Sequence, residues 1–244
     1  PSAEMTDTNW SVLEGDEYKS SRWDNNPKFS HYSPTHLLLT SVIWDHADIY
    51  PTEEEYIQIF QNLVNSIPKT GLMVTSEKIE ILSRHSGTPP HGGGNIEILK
   101  TYGKSKNADY AYSDIKLTKT GLNFTITDTI FNIKYSIFSH CLGDYMADNI
   151  TGCFALAKEI GIAPEKIISA IASFPGLKRR LEKKYEGEVT IIDDIAHSPT
   201  KAKSILETLR NIYNGKIYAI FEPNTGNRRP ESIPGYDNAF NQAD

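Results

Sequence analysis

Apolar residues follow two periods along this chain. Trp10 to Leu13 is a short apolar run ending in Glu14-Gly15-Asp16-Glu17, which predicts a buried strand with acidic groups at its carboxyl end. His36 to Ile43 is almost continuously apolar, the pattern of a strand covered on both faces, and it ends in Asp45-His46-Ala47-Asp48. Thr52 and Glu55 then form a capping box after Pro51, and Tyr56, Ile59, Phe60, Leu63 and Ile67 recur at helical spacing. Gly71 to Thr75 predicts another strand. The order strand, helix, strand predicts an α/β fold with a doubly wound, mostly parallel sheet, in which ligands gather at strand carboxyl ends.

Pro89 to Gly94 is a cluster of breakers, and Tyr110 to Phe138 alternates apolar and polar residues around Lys119-Thr120-Gly121, predicting an antiparallel appendage to the sheet. Asn149 to Ile160 and Pro164 to Ala172 read as helices, the second with Pro in its first turn. Phe174-Pro175-Gly176 reads as a linker, dividing a first domain (1–174) from a second (175–244). In the second, Val189 to Ile192 predicts a strand ending in Asp193-Asp194, Pro199 to Ile212 a helix, and Ile217 to Phe221 another strand. This α/β, Rossmann-like unit has little room for a complete core, and the expectation is a truncated domain.

The 39% hydrophobic and 23% charged residues are those of an ordinary globular protein. A formal charge of −6 argues against nucleic acid or an anionic membrane as a partner. Cys141 and Cys153 lack metal-ligand spacing, so neither a zinc knuckle nor a disulfide framework is expected, and a cytoplasmic setting fits. No apolar run has the length of about 20 residues that spans a bilayer.

Four clusters carry candidate chemistry, each with a plainer reading. Glu14 and His46, at two strand ends, can meet across a cleft and hold a divalent cation beside phosphate oxygens; the same residues read as solvated acidic loops. Lys178-Arg179-Arg180 offers planar guanidinium groups to a phosphate, or is a solvated face. Asp193-Asp194-Ile195-Ala196-His197-Ser198-Pro199 places carboxylates and a His on a strand-to-helix turn, where Asp194 or Ser198 equally suits helix capping. Asn149 can read an adenine edge or cap a helix.

Taken in order, these motifs resemble those of the Mur ligase family over nearly the whole chain. Val12 to Tyr18 is similar to its acidic strand end, Trp44 to Pro51 to its Asp-His-x-Asp segment, Gly176 to Glu182 to its Arg-Arg linker, and Asp193 to Pro199 to the element opening its C-terminal domain. Lys178 to Glu182, and Phe221-Glu222-Pro223 followed by Arg228-Arg229, are more similar to the murein peptide ligase branch than to the UDP-N-acetylmuramate–alanine ligase branch. The resemblance implies an ATP-dependent amide ligase of peptidoglycan recycling or synthesis. Such an enzyme joins a peptide or amino-acid amine to the carboxylate of UDP-N-acetylmuramate through an acyl phosphate. By the same resemblance Glu14 and His46 would ligate Mg2+, Asn149 would face adenine, Arg180 and Asp194 would contact nucleotide phosphate and ribose, and His197 with Arg180 would serve the reacting groups.

Departures from the family pattern accompany the matches. The Gly-rich loop ending Gly-Lys-Thr/Ser is not found in this sequence, so the resemblance implies a central domain lacking that part, followed by the start of a C-terminal domain, and inactive alone. Tyr145-Met146 replaces a His-Asn pair, Ser198 a second His, and Phe60 stands where several members carry a carbamylated Lys. An alanine-adding ligase, a non-catalytic Mur-like nucleotide-binding protein and a metal-dependent hydrolase are the competing readings.

Overall fold

A computed structural model describes residues 8–44, 49–79, 98–223 and 230–244. The chain divides into two compact units, one of residues 1–73 and 79–99, the other of 74–78 and 100–244. Strands β1 (His36–Leu39), β2 (Leu72–Ser76), β3 (Ile98–Gly103), β4 (Tyr110–Thr118), β5 (Gly121–Asp128) and β6 (Ile133–Ser139) form one sheet in that order.

In the first unit, β1 leads to helix α1 (Glu53–Ser66) and then to β2. Thr52 caps α1, its hydroxyl accepting from the Glu55 amide at 3.2 Å, and Glu53, Glu54 and Glu55 favour the positive end of the helix dipole. The helical spacing turns Tyr56, Phe60, Leu63 and Val64 inward, onto Phe29, Leu39 and Met73. Phe60 is therefore core, its ring centroid 5.3 Å from Phe29 and 5.1 Å from Tyr56.

In the second unit, β3 and β4 pair in parallel, while β4, β5 and β6 form an antiparallel meander. The sheet is thus mixed, with the expected antiparallel appendage at one end. Gly121, at φ +146°, makes the β4–β5 turn; a Cβ there would lie 2.1 Å from the Ser139 carbonyl oxygen, so only glycine fits. Alternation along β5 buries Leu122, Phe124 and Ile126. Helix α2 (Tyr145–Glu159) packs on β4 and β5, with Phe154 against Tyr110 and Tyr135. Helix α3 (Pro164–Ser173) follows, with Pro164 in its first turn. After the Phe174-Pro175-Gly176 segment come β7 (Glu182–Glu186), paired antiparallel with β8 (Thr190–Asp193), and helix α4 (Pro199–Ile212). Leu142, Leu181 and Ile212 share a small core with Ile192, Ile205 and Leu209.

Two expected strands do not form. Trp10 to Leu13 and Ile217 to Phe221 have no strand beside them among the described residues, and without a paired neighbour an apolar run lacks the ladder of backbone hydrogen bonds that makes a strand. Val12 is 95% exposed and Ile220 fully so. The strand expected over His36 to Ile43 stops at Leu39, and α2 begins at Tyr145, four residues before Asn149. The Pro89 to Gly94 cluster lies outside the described residues. No helix among the described residues is long and apolar enough to cross a membrane.

Candidate nucleotide cleft

Within the second unit, four segments enclose a cleft of about 340 Å³. The opening turns of α2 supply Tyr145, Met146 and Asn149, which share a face because residues three and four apart are helix neighbours. The segment before β7 supplies Leu177 and Arg180. The end of β8 supplies Asp194, and α4 supplies Lys201, Ser204 and Ile205, again at spacings of three and four. Because α2 starts at Tyr145, Asn149 is its fifth residue and does not cap it; the amide lines the cleft from an exposed position.

Arg180 reaches the cleft from an unusual backbone. Arg179 (φ +56°) and Leu181 (φ +48°) on either side of it are left-handed, at a cost of roughly 1–2 kcal/mol per residue for a side chain with a Cβ. What holds this conformation is visible. Leu181 is 3% exposed in the small core, the Arg179 amide donates to Glu182 Oε2 at 2.8 Å, and the Ile195 amide donates to the Arg179 carbonyl at 2.8 Å. Asp194 accepts from the Leu181 amide at 2.8 Å through Oδ2 and from the Ala196 amide at 2.7 Å through Oδ1. Asp194 therefore caps turns in the chain, and neither it nor Ser198 makes a side-chain cap on α4.

The charges in the cleft are two cations, Arg180 and Lys201, against one carboxylate, Asp194. Burial raises the Tyr145 phenol above its ordinary value and the Asp194 charge adds to this, while Arg180 opposes it. Tyr145 is thus a neutral aromatic wall with a hydroxyl. An aromatic face, an amide, a hydroxyl and a cationic pair suit a ligand with a flat polar ring at one end and anionic groups at the other.

Of the residues expected from the sequence, the cleft brings together Asn149, Arg180 and Asp194. His197 is not in its walls; its Nδ1 lies 2.8 Å from the Ile195 carbonyl, an arrangement that puts the proton on Nδ1. Glu14 is exposed in the first unit, and His46 lies outside the described residues. No group of three or more His, Cys, Asp or Glu placed to hold a metal occurs among the described residues.

Lys201 and Ser204 were not legible as site residues in sequence, whereas Tyr145 stood out as a departure where the family carries a His-Asn pair. Lys201 carried one signal: it stands in the first turn of a helix, where the dipole disfavours a cation and this chain places no acid.

The fold is that of an α/β protein, and its cleft presents an aromatic side chain, an amide and two cations. Family models extend this: a Mur ligase middle domain matches residues 3–157, and a Mur ligase glutamate ligase domain matches residues 179–240. The chain belongs to the Mur ligase family.

It is 28% identical to a UDP-N-acetylmuramate–L-alanine ligase of Chlorobium chlorochromatii, over 96% of this chain and 48% of that protein. It is likewise 28% identical to the UDP-N-acetylmuramate–L-alanyl-gamma-D-glutamyl-meso-2,6-diaminoheptandioate ligase of Haemophilus influenzae, over 91% of this chain and 48% of the other. Its fold is similar to that of a MurF ligase of Thermotoga maritima solved in complex with ADP, at a TM-score of 0.67 and 15% identity, over 88% of this chain and 47% of that one. The chain spans about half the length of the curated relatives it matches.

Proposed function

We propose that this chain carries the nucleotide-contacting part of an ATP-dependent ligase that joins a peptide amine to the carboxylate of UDP-N-acetylmuramate, in a cytoplasmic setting of cell-wall recycling or synthesis. The observation that carries the reading is the convergence of Asn149, Arg180 and Asp194, from three separate segments, on one cleft with an aromatic wall and a second cation. In this reading Asn149 hydrogen-bonds the adenine edge, Tyr145 lies against the ring, and Arg180 and Lys201 hold phosphate oxygens.

The chemistry follows from the weakness of a carboxylate as an acyl donor. The carboxylate oxygen attacks the γ-phosphorus of ATP, the bond to the bridging oxygen breaks, and ADP leaves. The acyl phosphate then accepts the amine nitrogen at its carbonyl carbon; phosphate departs, the nitrogen loses a proton, and an amide remains. Arg180 neutralises negative charge as the phosphoryl group moves. His197 stands two residues before α4 begins at Pro199, and we assign it to the reacting groups as a proton carrier.

Glu14 and His46 are proposed as Mg2+ ligands. The exposed carboxylate of Glu14 would supply the hard oxygen that this cation prefers, and such an ion would offset phosphate charge.

Between amine substrates we favour the tripeptide over L-alanine, on Lys178 to Glu182 and Phe221 to Pro223. Relatives of both names match with the same identity.

Calorimetry with ADP tests the cleft. Asn149→Ala is expected to weaken ADP about tenfold, roughly the loss of one well-made hydrogen bond to a buried base. Unchanged affinity would remove Asn149 from the site. In the natural gene product containing these residues, phosphate release should require ATP, UDP-N-acetylmuramate and an amine together. Faster release with the tripeptide than with L-alanine supports the peptide ligase, and the reverse order supports the alanine-adding ligase. ADP binding without any amine-dependent release would identify a non-catalytic nucleotide-binding protein.

A further inference from the structure

Resting on the nucleotide reading of the cleft, we propose that Tyr112 and Asp148 are positioning residues: the hydrogen bond between them fixes the angle at which the first turns of α2 meet the sheet, and so where Asn149 presents its amide. Asp148 lies in the opening turn of α2, directly before Asn149. Asn149 is in the cleft wall, whereas Asp148 is buried and faces the sheet. Its Oδ1 accepts from the Tyr112 hydroxyl on β4 at 2.9 Å and from Lys78 Nζ at 3.1 Å. All four residues belong to the second unit.

A buried carboxylate is a costly way to fasten a helix, because an apolar side chain in its place avoids the desolvation of a charge. The helix dipole does not require it either, since an exposed acid in the first turn serves that purpose. What a hydrogen bond to an anion adds is direction, because its length and angle are confined to a narrow range. Burial, and then the bond to Asp148, raise the Tyr112 phenol above its ordinary value, so the hydroxyl keeps its proton and remains the donor. The Lys78 side chain is largely exposed, and its ion pair with Asp148 is correspondingly the weaker hold.

Strand β4 supplies a matched comparison. Tyr110, two residues from Tyr112 and on the same face of the strand, donates to Glu159 Oε1 at 2.6 Å, at the other end of α2. Two phenol–carboxylate bonds therefore join β4 to α2, one beside the cleft and one remote from it. Calorimetry with ADP on Tyr112→Phe and Tyr110→Phe separates positioning from simple support of the helix, because each variant loses one such bond. Positioning gives ADP binding about fivefold weaker in Tyr112→Phe and within about twofold of wild type in Tyr110→Phe, although both variants unfold at lower urea. In an Asn149→Ala background, Tyr112→Phe then costs less than about twofold more, since the group it positions is already gone. ADP affinity unchanged in Tyr112→Phe, equal losses in the two tyrosine variants, or losses that multiply in the double variant overturn the proposal.

Should Tyr112→Phe fail to fold, the carboxylate decides the question. Asp148→Asn keeps an oxygen for the Tyr112 hydroxyl and Asp148→Ala does not, so the first is expected to bind ADP at least about threefold more tightly than the second; equal affinities overturn the proposal. Absence of ADP binding by the wild-type protein removes the nucleotide reading itself, and the proposal falls with it; wild-type ADP binding that is indifferent to Tyr112 and Asp148 removes the proposal alone.

Discussion

At the scale of single residues, the cleft sets local stability against ligand binding. Lys201 lies at the amino end of α4, where the first-turn backbone N–H groups and the helix dipole already supply positive charge. Its placement costs the isolated helix a few tenths of a kcal/mol, as the dipole effect predicts. Lys201→Ala is therefore expected to raise the unfolding free energy by about 0.3–1 kcal/mol while weakening ADP several-fold, the second effect shrinking at high salt. Urea titration and calorimetry of one sample check both signs. A loss of stability with unchanged affinity would place Lys201 outside the ligand's reach.

At the scale of elements, α1 and α2 show different supports. Helix α1 depends on its cap: Thr52→Ala removes the acceptor of the Glu55 amide and should cost about 1 kcal/mol. Helix α2 is tied to the sheet by Lys158, whose ammonium donates to Asp128 Oδ2 at 2.8 Å. Burial, the largest single influence, disfavours the charge on Lys158, but the hydrogen bond to Asp128 and the negative charges of Asp128 and Glu159 together outweigh it and raise the ammonium's pKa. Asp128 is 1% exposed, and its other oxygen takes the Ile130 and Phe131 amides.

Lys158→Met leaves that carboxylate buried without its counter-charge, a change expected to cost about 3–5 kcal/mol. Adding Asp128→Asn to this variant should recover part of the loss. Chemical denaturation of the two variants measures the difference, and a Lys158→Met cost under about 1 kcal/mol would mean that the pair adds little to its backbone hydrogen bonds.

At the scale of the whole molecule, the buried phenols set an alkaline limit. Burial, before any charge effect, raises Tyr102, Tyr110 and Tyr112 well above the ordinary phenol value. A group protonated more firmly in the folded chain than in the unfolded one binds more protons when folded. Its contribution is complete below the unfolded pKa of about 10 and is lost as pH rises through the folded value. Stability should therefore fall steadily above pH 10. Denaturation midpoints between pH 8 and 11 check this, and a flat profile would contradict the burial of these three tyrosines.

How much was legible in the sequence depended on whether a signal was local. The helix over Glu53–Ser66 was readable because its cap, its acidic first turn and its apolar spacing lie within one segment. The meander was readable from its alternation, and its turn from Gly121. Trp10 to Leu13 and Ile217 to Phe221 misled because an apolar run reports only a tendency to pair, whereas a strand also needs a neighbour. Asn149, Arg180 and Asp194 were legible as ordered motifs, but spacing could not show that they line one cleft, nor that Tyr145 and Lys201 join them.

The amino-acid sequence by itself determined the α/β class, the helices and hairpin whose signals are short-range, and the residue types able to hold a nucleotide. Only the tertiary structure decided which of those residues meet and what each is free to do. Asp194 makes the distinction concrete: the sequence offers a carboxylate, while the fold engages its two oxygens with the amides of Leu181 and Ala196. Hydrogen bonds between segments distant in sequence are set by packing, and packing is a property of the assembled chain.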